Sequence, residues 1–445
     1  MILGVDLGTS GLKCVITNLN EEIVCSTSTK LNINQFDGNC FEQNPEDWIV
    51  ALETCLHNLK LENIDFSNIE AISFSAQMLG CIIIDEQDKP IRPAILWNDG
   101  RSSLESQYLE NNFTKELFPS GCRPNPGLLL PKLLWIKNNE PNNFKKIKKI
   151  LLPKDYLKLF LTGSFSTDPS DASGTMLFDL IRKDWNQNLI DELEIDRDWL
   201  PEVHPSDKDI GKLRQTLLNK WNFNKKIKII NGAGDNAAAA LGSGVFKDGE
   251  MLITLGTSGV MIMAMDDFNP MIQHNYLTHA HALENKFILE SVVLGVTNII
   301  DWYCSVFSTT IDEFSELTQH ENYSMIKKYP ILMPYLSGIR TPHEHPNIEG
   351  SIFGLNLNTN KKNIAWAIIE GISFIFKECQ DILINNNYSF PKQIVLIGGG
   401  AKNIQWAKIL SSLLNVQILV PENQDYVASI GAIRLAMNNL TMSKY

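Results

Sequence analysis

A basic excess, a membrane-length apolar run and paired cysteines are all missing from this chain of 445 residues. Its formal net charge of −12 argues against a nucleic-acid partner, because a phosphate backbone calls for a basic face. No uncharged apolar stretch reaches the roughly 18 residues of a membrane span, so no membrane partner is expected. There is no apolar signal core either, since Asp6 stands inside the first apolar run; this predicts a cytoplasmic protein. The eight cysteines, at 14, 25, 40, 55, 81, 122, 304 and 379, form no Cys-x-x-Cys pair and read as reduced core thiols. Gly-x-x-x-x-Gly-Lys-Ser/Thr and a His-Arg-Asp loop are absent, which excludes a P-loop enzyme and a protein kinase. No low-complexity linker occurs, although the length exceeds one ordinary core and predicts two domains.

What is present is a repeat. Leu-Gly-Thr-Ser-Gly occurs at Leu7 to Gly11 and again at Leu255 to Gly259. Each copy lies between short apolar runs and predicts a β-hairpin with a Gly-rich, hydroxyl-rich turn. Such a turn exposes backbone N–H groups and hydroxyls to a phosphate. Two of them predict a duplicated fold gripping one nucleotide from both sides. Further strands are expected over Glu22 to Lys30, Ala71 to Phe74, Cys81 to Ile84, Lys225 to Ile230 and Gln393 to Ile397. Helices are expected over Pro45 to Leu61 (with Asn44 as N-cap), Pro131 to Asn138, an Ala-rich stretch through Leu241, and Lys362 to about Asn385. Alternating strands and helices mean an α/β protein. The halves divide at about residue 230, giving domains 1–230 and 231–445.

Several acids and loops stand out. Asp6 immediately precedes the first turn, where a buried carboxylate is costly unless paired or metal-bound; the second copy has Thr254 there. Asp6 therefore reads either as a Mg²⁺ holder beside nucleotide phosphates or as an ordinary turn acid. Asp235 lies in Gly232-Ala-Gly-Asp-Asn-Ala237, after a strand and before a helix. It reads as a general base, as a helix cap, or as part of a loose Gly-x-Gly-x-x-Ala dinucleotide fingerprint. Gly398-Gly-Gly-Ala-Lys-Asn403 permits close approach to a flat or anionic ligand. Gln77-Met78 and Asn98-Asp99, at strand ends, are candidate sugar ligands. His279/His281 and His343/His345 lack a third ligand at sensible spacing and read as packing or surface residues.

Together these motifs resemble the FGGY carbohydrate kinases, and within them the xylulokinase branch. The resemblance runs through Gly4-Val-Asp-Leu-Gly-Thr-Ser-Gly-Leu-Lys13, Pro93-Ala-Ile-Leu-Trp-Asn-Asp-Gly-Arg101, Pro131-Lys-Leu-Leu-Trp135, Asp171-Ala-Ser-Gly-Thr-Met176, Gly232 to Ala237, Leu255 to Val260, Pro334 to His343 and Leu396 to Ala401, with a second signature over Gly350 to Glu370. It implies a duplicated actin/Hsp70-like (ribonuclease H-like) ATPase fold, two domains about a central cleft. It also implies phosphorylation of a sugar hydroxyl by ATP, with D-xylulose the leading acceptor and Mg²⁺ the cation. Asp235 would be the catalytic base and Asp6 would place Mg²⁺. Thr9, Ser10, Gly11 and Lys13, facing Thr257 and Ser258, would hold phosphates. Gly398, Gly399, Gly400, Ala401 and Asn403 would line the adenosine site. Gln77, Met78, Leu79, Asn98, Asp99 and Asn236 would meet the sugar. Two departures matter. Leu79 replaces the histidine usual after Gln-Met, which leaves ribulose, gluconate or a deoxy-ketose as other acceptors. Relatives also usually continue past Gly431-Ala-Ile-Arg-Leu-Ala-Met437 with a helical tail, so a second copy, in a homodimer, is expected to cover an apolar face. A non-catalytic sugar or nucleotide sensor on the same fold is the rival reading.

Overall fold

A computed structural model of the chain describes residues 1–319, 330–345 and 348–442. The first expected hairpin is present as β1 (Ile2–Leu7) and β2 (Gly11–Thr17), antiparallel, with Asp6 opposite Lys13. Strand β3 (Ile23–Lys30) pairs with β2, and β4 (Ala71–Ala76) lies parallel to β1 on its other side. Two short strands, β5 (Lys228–Ile229) and β6 (Ala233–Gly234), run parallel to β4. The strand expected from Lys225 is shorter because Asn224 Oδ1 takes the Lys226 N–H at 2.9 Å and turns the chain.

The second sheet repeats this plan. Its hairpin is β7 (Met251–Leu255) and β8 (Gly259–Met265). β9 (Leu277–Ala280) and β10 (Phe287–Val293) extend it on the β8 side; β11 (Gln393–Ile397) and β12 (Gln417–Leu419) lie parallel on the β7 side. The orders are β5-β4-β1-β2-β3 and β9-β10-β8-β7-β11-β12. In each, a hairpin carries one further antiparallel strand outward and parallel strands inward. β9 has no counterpart in the first sheet, and β6, which pairs with β4 beside the main order, has none in the second.

Helix α1 (Pro45–Leu61) starts as expected, with the Asn44 side chain accepting from Glu46 N and Pro at the first helical position. Its buried stripe, Trp48, Leu52, Cys55 and Leu59, follows helical spacing and packs on β2 and β3. Helix α2 (Leu129–Asn139) begins two residues before Pro131, which sits in the first turn where no N–H bond is lost. Next come α3 (Pro153–Thr162), α4 (Pro169–Ser173), the Ala-rich α5 (Asp235–Gly242), and α6 (Lys361–Asn385), capped by Asn360. Helices α7 (Ile404–Leu414) and α8 (Val427–Met442) close the chain. No helix among the described residues is long and apolar enough to cross a membrane.

The last helix returns to the first sheet. α8 packs on β1, β4 and α5. At the α5–α8 crossing a Cβ at Gly431 would stand 1.9 Å from the Ala238 carbonyl oxygen, and one at Gly242 1.9 Å from that of Val427. Two glycines thus let the backbones touch. Arg434 then donates to the Leu241 and Gly242 carbonyls at the end of α5 and pairs with Glu21.

Candidate active site

Three neighbouring strands bring the two informative acids to one sheet edge. Ser75 on β4 lies in register with Asp6 on β1 and with Ala233 on β6, and its hydroxyl donates to Asp6 Oδ1 at 2.9 Å. Asp235 follows two residues after Ala233, as the first residue of α5. The turn before it needs glycine at Gly232, where φ is 78° and a Cβ would meet the Phe74 carbonyl oxygen at 2.2 Å. Both acids are partly open to solvent, yet protein surrounds them. Burial raises the Asp6 carboxyl above its ordinary range, with the Lys13 ammonium and the Ser75 hydroxyl pulling it down. Asp235 is raised further, first by burial, then by the negative charges of Asp6 and Glu290, against the Asn236 N–H it accepts. A Gly-x-Gly turn that presents such a carboxylate repels a pyrophosphate, so the dinucleotide reading of Gly232 to Ala237 is dropped.

No group of three or more His, Cys, Asp or Glu gathers for a metal among the described residues. Mg²⁺ needs less than that, since it keeps its waters and takes one or two carboxylates plus substrate phosphates. Asp6, with one oxygen on Ser75, fits such a role.

The two Thr-Ser turns are built alike. In the first, Gly8 N donates to Gly11 O at 2.9 Å; in the second, Gly256 N donates to Ser258 O at 3.0 Å. Ser10 and Thr257 are exposed, and Ser258 is partly so. Thr254, at the Asp6 position, accepts from Val260 N at 3.0 Å and serves its own hairpin. Thr9 is less free: its hydroxyl donates to Gln77 Oε1 at 3.1 Å and accepts from Trp97 Nε1 at 2.9 Å. Gln77 in turn donates to Gln43. The Thr9 hydroxyl therefore ties the phosphate turn to the Gln77 strand end. Gly11 packs against the Thr29 carbonyl, where a Cβ would come within 2.9 Å. Lys13 Nζ donates to the Asp425 carbonyl at 2.9 Å, from the loop before α8.

The glycine loop lies beside the second hairpin. Gly398 has φ 92° and a Cβ there would stand 2.7 Å from Leu255 O, while a Cβ at Gly399 meets nothing within 4 Å. Gly399 is therefore the open face of the loop. Gly400 and Ala401 are buried, within a 3₁₀ turn over Gly399–Lys402. The helix after the glycines starts at Ile404, with Asn403 as its cap. Asn403 Oδ1 accepts from Gln405 N and Trp406 N, and Nδ2 donates to Thr318. That leaves its oxygen fully occupied by the cap, with one N–H of the amide for any ligand.

The sugar candidates divide similarly. Met78 lies on the turn that presents Asp235, where a Cβ at Gly234 would approach its Sδ to 2.7 Å. Leu79 is buried at φ 69° and fills the space above Gly174. Its carbonyl accepts from Lys132 Nζ at 2.9 Å, which also donates to Gly127 O at 2.7 Å. Burial pulls the Lys132 ammonium down to about 7. Asn98 Oδ1 is buried without a protein hydrogen bond, as a ligand atom would be. Asp99 differs from expectation. Its carboxylate accepts from Phe41 N and from Arg101 N, Nε and Nη2, so it anchors a loop and has no oxygen turned to a sugar. Asn236 donates through Nδ2 to Glu290 Oε2 at 2.9 Å.

Two groups escaped sequence reasoning. Glu290 is the one charged residue in β10, Phe287–Val293, all of it buried; an acid in such a run signals a partner. That partner is His279, 3.2 Å away, buried and tied to the protein. His281 is buried too, on Val245 O, whereas His343 meets Glu378 at the surface. Behind Asp235 lies a second buried group, Lys154, Asp155, Lys158, Asp168 and Asp171. Burial lifts Asp171 there to about 7 although Lys154 opposes it.

A duplicated two-sheet fold, paired Thr-Ser turns and an acid at the start of a helix fit an ATP-dependent phosphotransferase of the actin/Hsp70-like class. The FGGY family of carbohydrate kinases is matched by both of its domain models, the N-terminal over residues 1–242 and the C-terminal over 251–440. The chain belongs to that family and is a sugar kinase. The xylulose kinase of Escherichia coli K12 is 33% identical over 437 residues, covering 98% of this chain and 89% of its own. A crystal structure of a xylulose kinase from Brucella ovis superposes with a TM-score of 0.92 at 32% identity, over 99% of this chain and 90% of that one. A gluconate kinase from Lactobacillus acidophilus superposes with a TM-score of 0.90 at 27% identity, over 99% and 89%.

Proposed function

We propose that this kinase transfers the γ-phosphoryl group of ATP to D-xylulose, forming D-xylulose 5-phosphate and ADP. The observation that carries the reading is Asp235, an acid with a raised proton affinity at the N-terminus of α5, beside Met78 and facing Asp6. In this reading the sugar O–H gives its proton to the Asp235 carboxylate as the oxygen attacks the γ-phosphorus. The bond from that phosphorus to the β-phosphate oxygen breaks, and ADP leaves. A raised proton affinity makes Asp235 a better acceptor, and positioning with charge neutralisation supplies the rest. Mg²⁺, held through Asp6, would supply positive charge to the phosphates. Ser10, Thr257, Ser258 and the backbone of both turns would cradle those phosphates, and Gly398 to Ala401 would admit the adenosine on the open side at Gly399. Asn98 and Asn236 would take sugar hydroxyls, with Met78 and Leu79 as the apolar wall. In this reading the cleft lies between the half built on the first sheet and the half built on the second. ATP as donor fits a cytoplasmic enzyme.

A second acceptor class, gluconate or another polyol, is favoured by one specific feature: Leu79 removes an imidazole from the pocket, and a gluconate kinase shares this fold closely. ADP-coupled turnover across D-xylulose, L-ribulose, D-ribulose, gluconate and glycerol, with Asp235→Ala as control, tests both. Turnover on D-xylulose lost in the control is expected. Turnover confined to another acceptor would replace the substrate, and silence on all five would refute the reading.

A further inference from the structure

Asn236 is followed outward by a chain of buried groups that crosses from the second sheet to the first half of the molecule. Its Nδ2 meets Glu290 Oε2 at 2.9 Å; Glu290 Oε1 meets His279 Nδ1 at 3.2 Å; His279 Nε2 meets Cys122 Sγ at 3.7 Å. Glu290 on β10 and His279 on β9 are diagonal neighbours, since Leu277 is opposite Glu290 and His279 opposite Ile288. Both side chains are 1% exposed.

The protonation pattern follows from the partners. Burial alone would lower the His279 pKa, but the Glu290 carboxylate overrides it and lifts the ring to about 10. In that state the ring would donate from both nitrogens, from Nδ1 to Glu290 and from Nε2 to the Cys122 sulfur. Cys122 is free to accept because its own S–H has the Thr278 carbonyl at 3.7 Å. Glu290 therefore spends one oxygen on the Asn236 amide and the other on the His279 ring.

That fixes Asn236. An amide has two faces, one donating and one accepting. A carboxylate can only receive the NH₂, so Asn236 Oδ1 is the atom that remains. We propose that Glu290, held by His279, is a positioning residue that locks the Asn236 amide with its carbonyl oxygen presented to the sugar. The pocket wall beside Asp235 is thereby an acceptor that recognises a sugar hydroxyl as donor, next to the hydroxyl that loses its proton. With Leu79 apolar, polar recognition of the sugar is shifted to this opposite wall. The inference rests on the reading of Asp235 and Asn236 given above.

The test is steady-state kinetics on the full chain with D-xylulose and ATP. The variants are Glu290→Gln and the double replacement Glu290→Met with His279→Phe, with thermal melts alongside. The double variant removes both charges and keeps an apolar core, so it folds even if the single one does not. A hydrogen bond of ordinary strength predicts KM for the sugar up by about tenfold in the double variant, with a smaller rise in Glu290→Gln, whose amide can hold Asn236 either way round. In the double variant, which removes the two opposed groups together, kcat and KM for ATP stay within about twofold. A folded double variant with unchanged sugar KM, or with kcat and KM for ATP impaired in step, overturns the proposal while the kinase reading stands. A wild type inactive on the sugar, or an Asp235→Ala variant with unaltered turnover, overturns that reading and the proposal with it.

Discussion

Substituting Gly431 by alanine tests whether the α5–α8 crossing holds Asp235, the proposed base, in place. The new Cβ would stand 1.9 Å from the Ala238 carbonyl oxygen, 2.7 Å from its carbon and 3.1 Å from its Cα. All three are backbone atoms, so no side chain can swing aside. The helices must part by about 1 Å to reach a tolerable contact, an overpacking that costs about 1–3 kcal/mol. Asp235 is the first residue of α5 and Ala238 lies one turn on, so the shift reaches the base. A misplacement of about 1 Å lowers turnover by roughly 10²-fold. The expected result is a folded Gly431→Ala protein with a lowered melting temperature and kcat down by about two orders of magnitude, while sugar affinity changes little. Gly242→Ala, with its Cβ 1.9 Å from the Val427 carbonyl, should behave alike. Thermal melts and ADP-coupled kinetics decide the matter. Wild-type melting and kcat within twofold in either variant would refute the reasoning.

Leu79→His should raise kcat/KM for D-xylulose by roughly 5- to 150-fold, the worth of about 1–3 kcal/mol for a substrate hydrogen bond at a buried site; histidine also tolerates φ 69° better than leucine, and an unchanged kcat/KM would sink the idea. Lys132 has a folded pKa of about 7, below its unfolded value near 10.4, so between those limits the unfolded chain binds more protons and stability rises with pH. Lys132→Met should flatten that rise by up to one proton in denaturation measured from pH 7 to 10, the remaining slope including Lys158, which is lowered to about 8. Asp171 has the opposite sign: its folded pKa of about 7 exceeds the unfolded value, so its penalty grows as pH climbs from about 4 to 7. Asp171→Asn should therefore raise the melting temperature more at pH 8 than at pH 5, and equal shifts would count against an ionisable Asp171.

Local chemistry made much of this molecule legible before any coordinates. Both hairpins follow from apolar runs flanking Leu-Gly-Thr-Ser-Gly, and α1 follows from Asn44 and Pro45. Roles that depend on a distant partner were not legible. Asn403 looks like a loop ligand until its cap bonds to Gln405 and Trp406 are seen. Asp99 looks like a sugar ligand until Arg101 and the Phe41 N–H are found on it. Thr9 and Gln77 lie 68 positions apart yet share a hydrogen bond, so two separate motifs are one unit. Glu290 and His279 were invisible as a pair because strand register, and no spacing rule for a helix or turn, sets them side by side.

The return of α8 to β1 and β4 has a consequence for biosynthesis. Strand β1 meets its covering helix only after more than 400 further residues have been made, since Gly4 packs on Ser429 and Ile433. Domains usually mature in order of emergence. Here β1 and β4 wait for α8, and the face of the sheet that it covers stays open until that helix has been made. The step that seals it also brings Gly431 against α5, so a nascent chain stalled before residue 427 would hold a folded-looking lobe with no set position for its base.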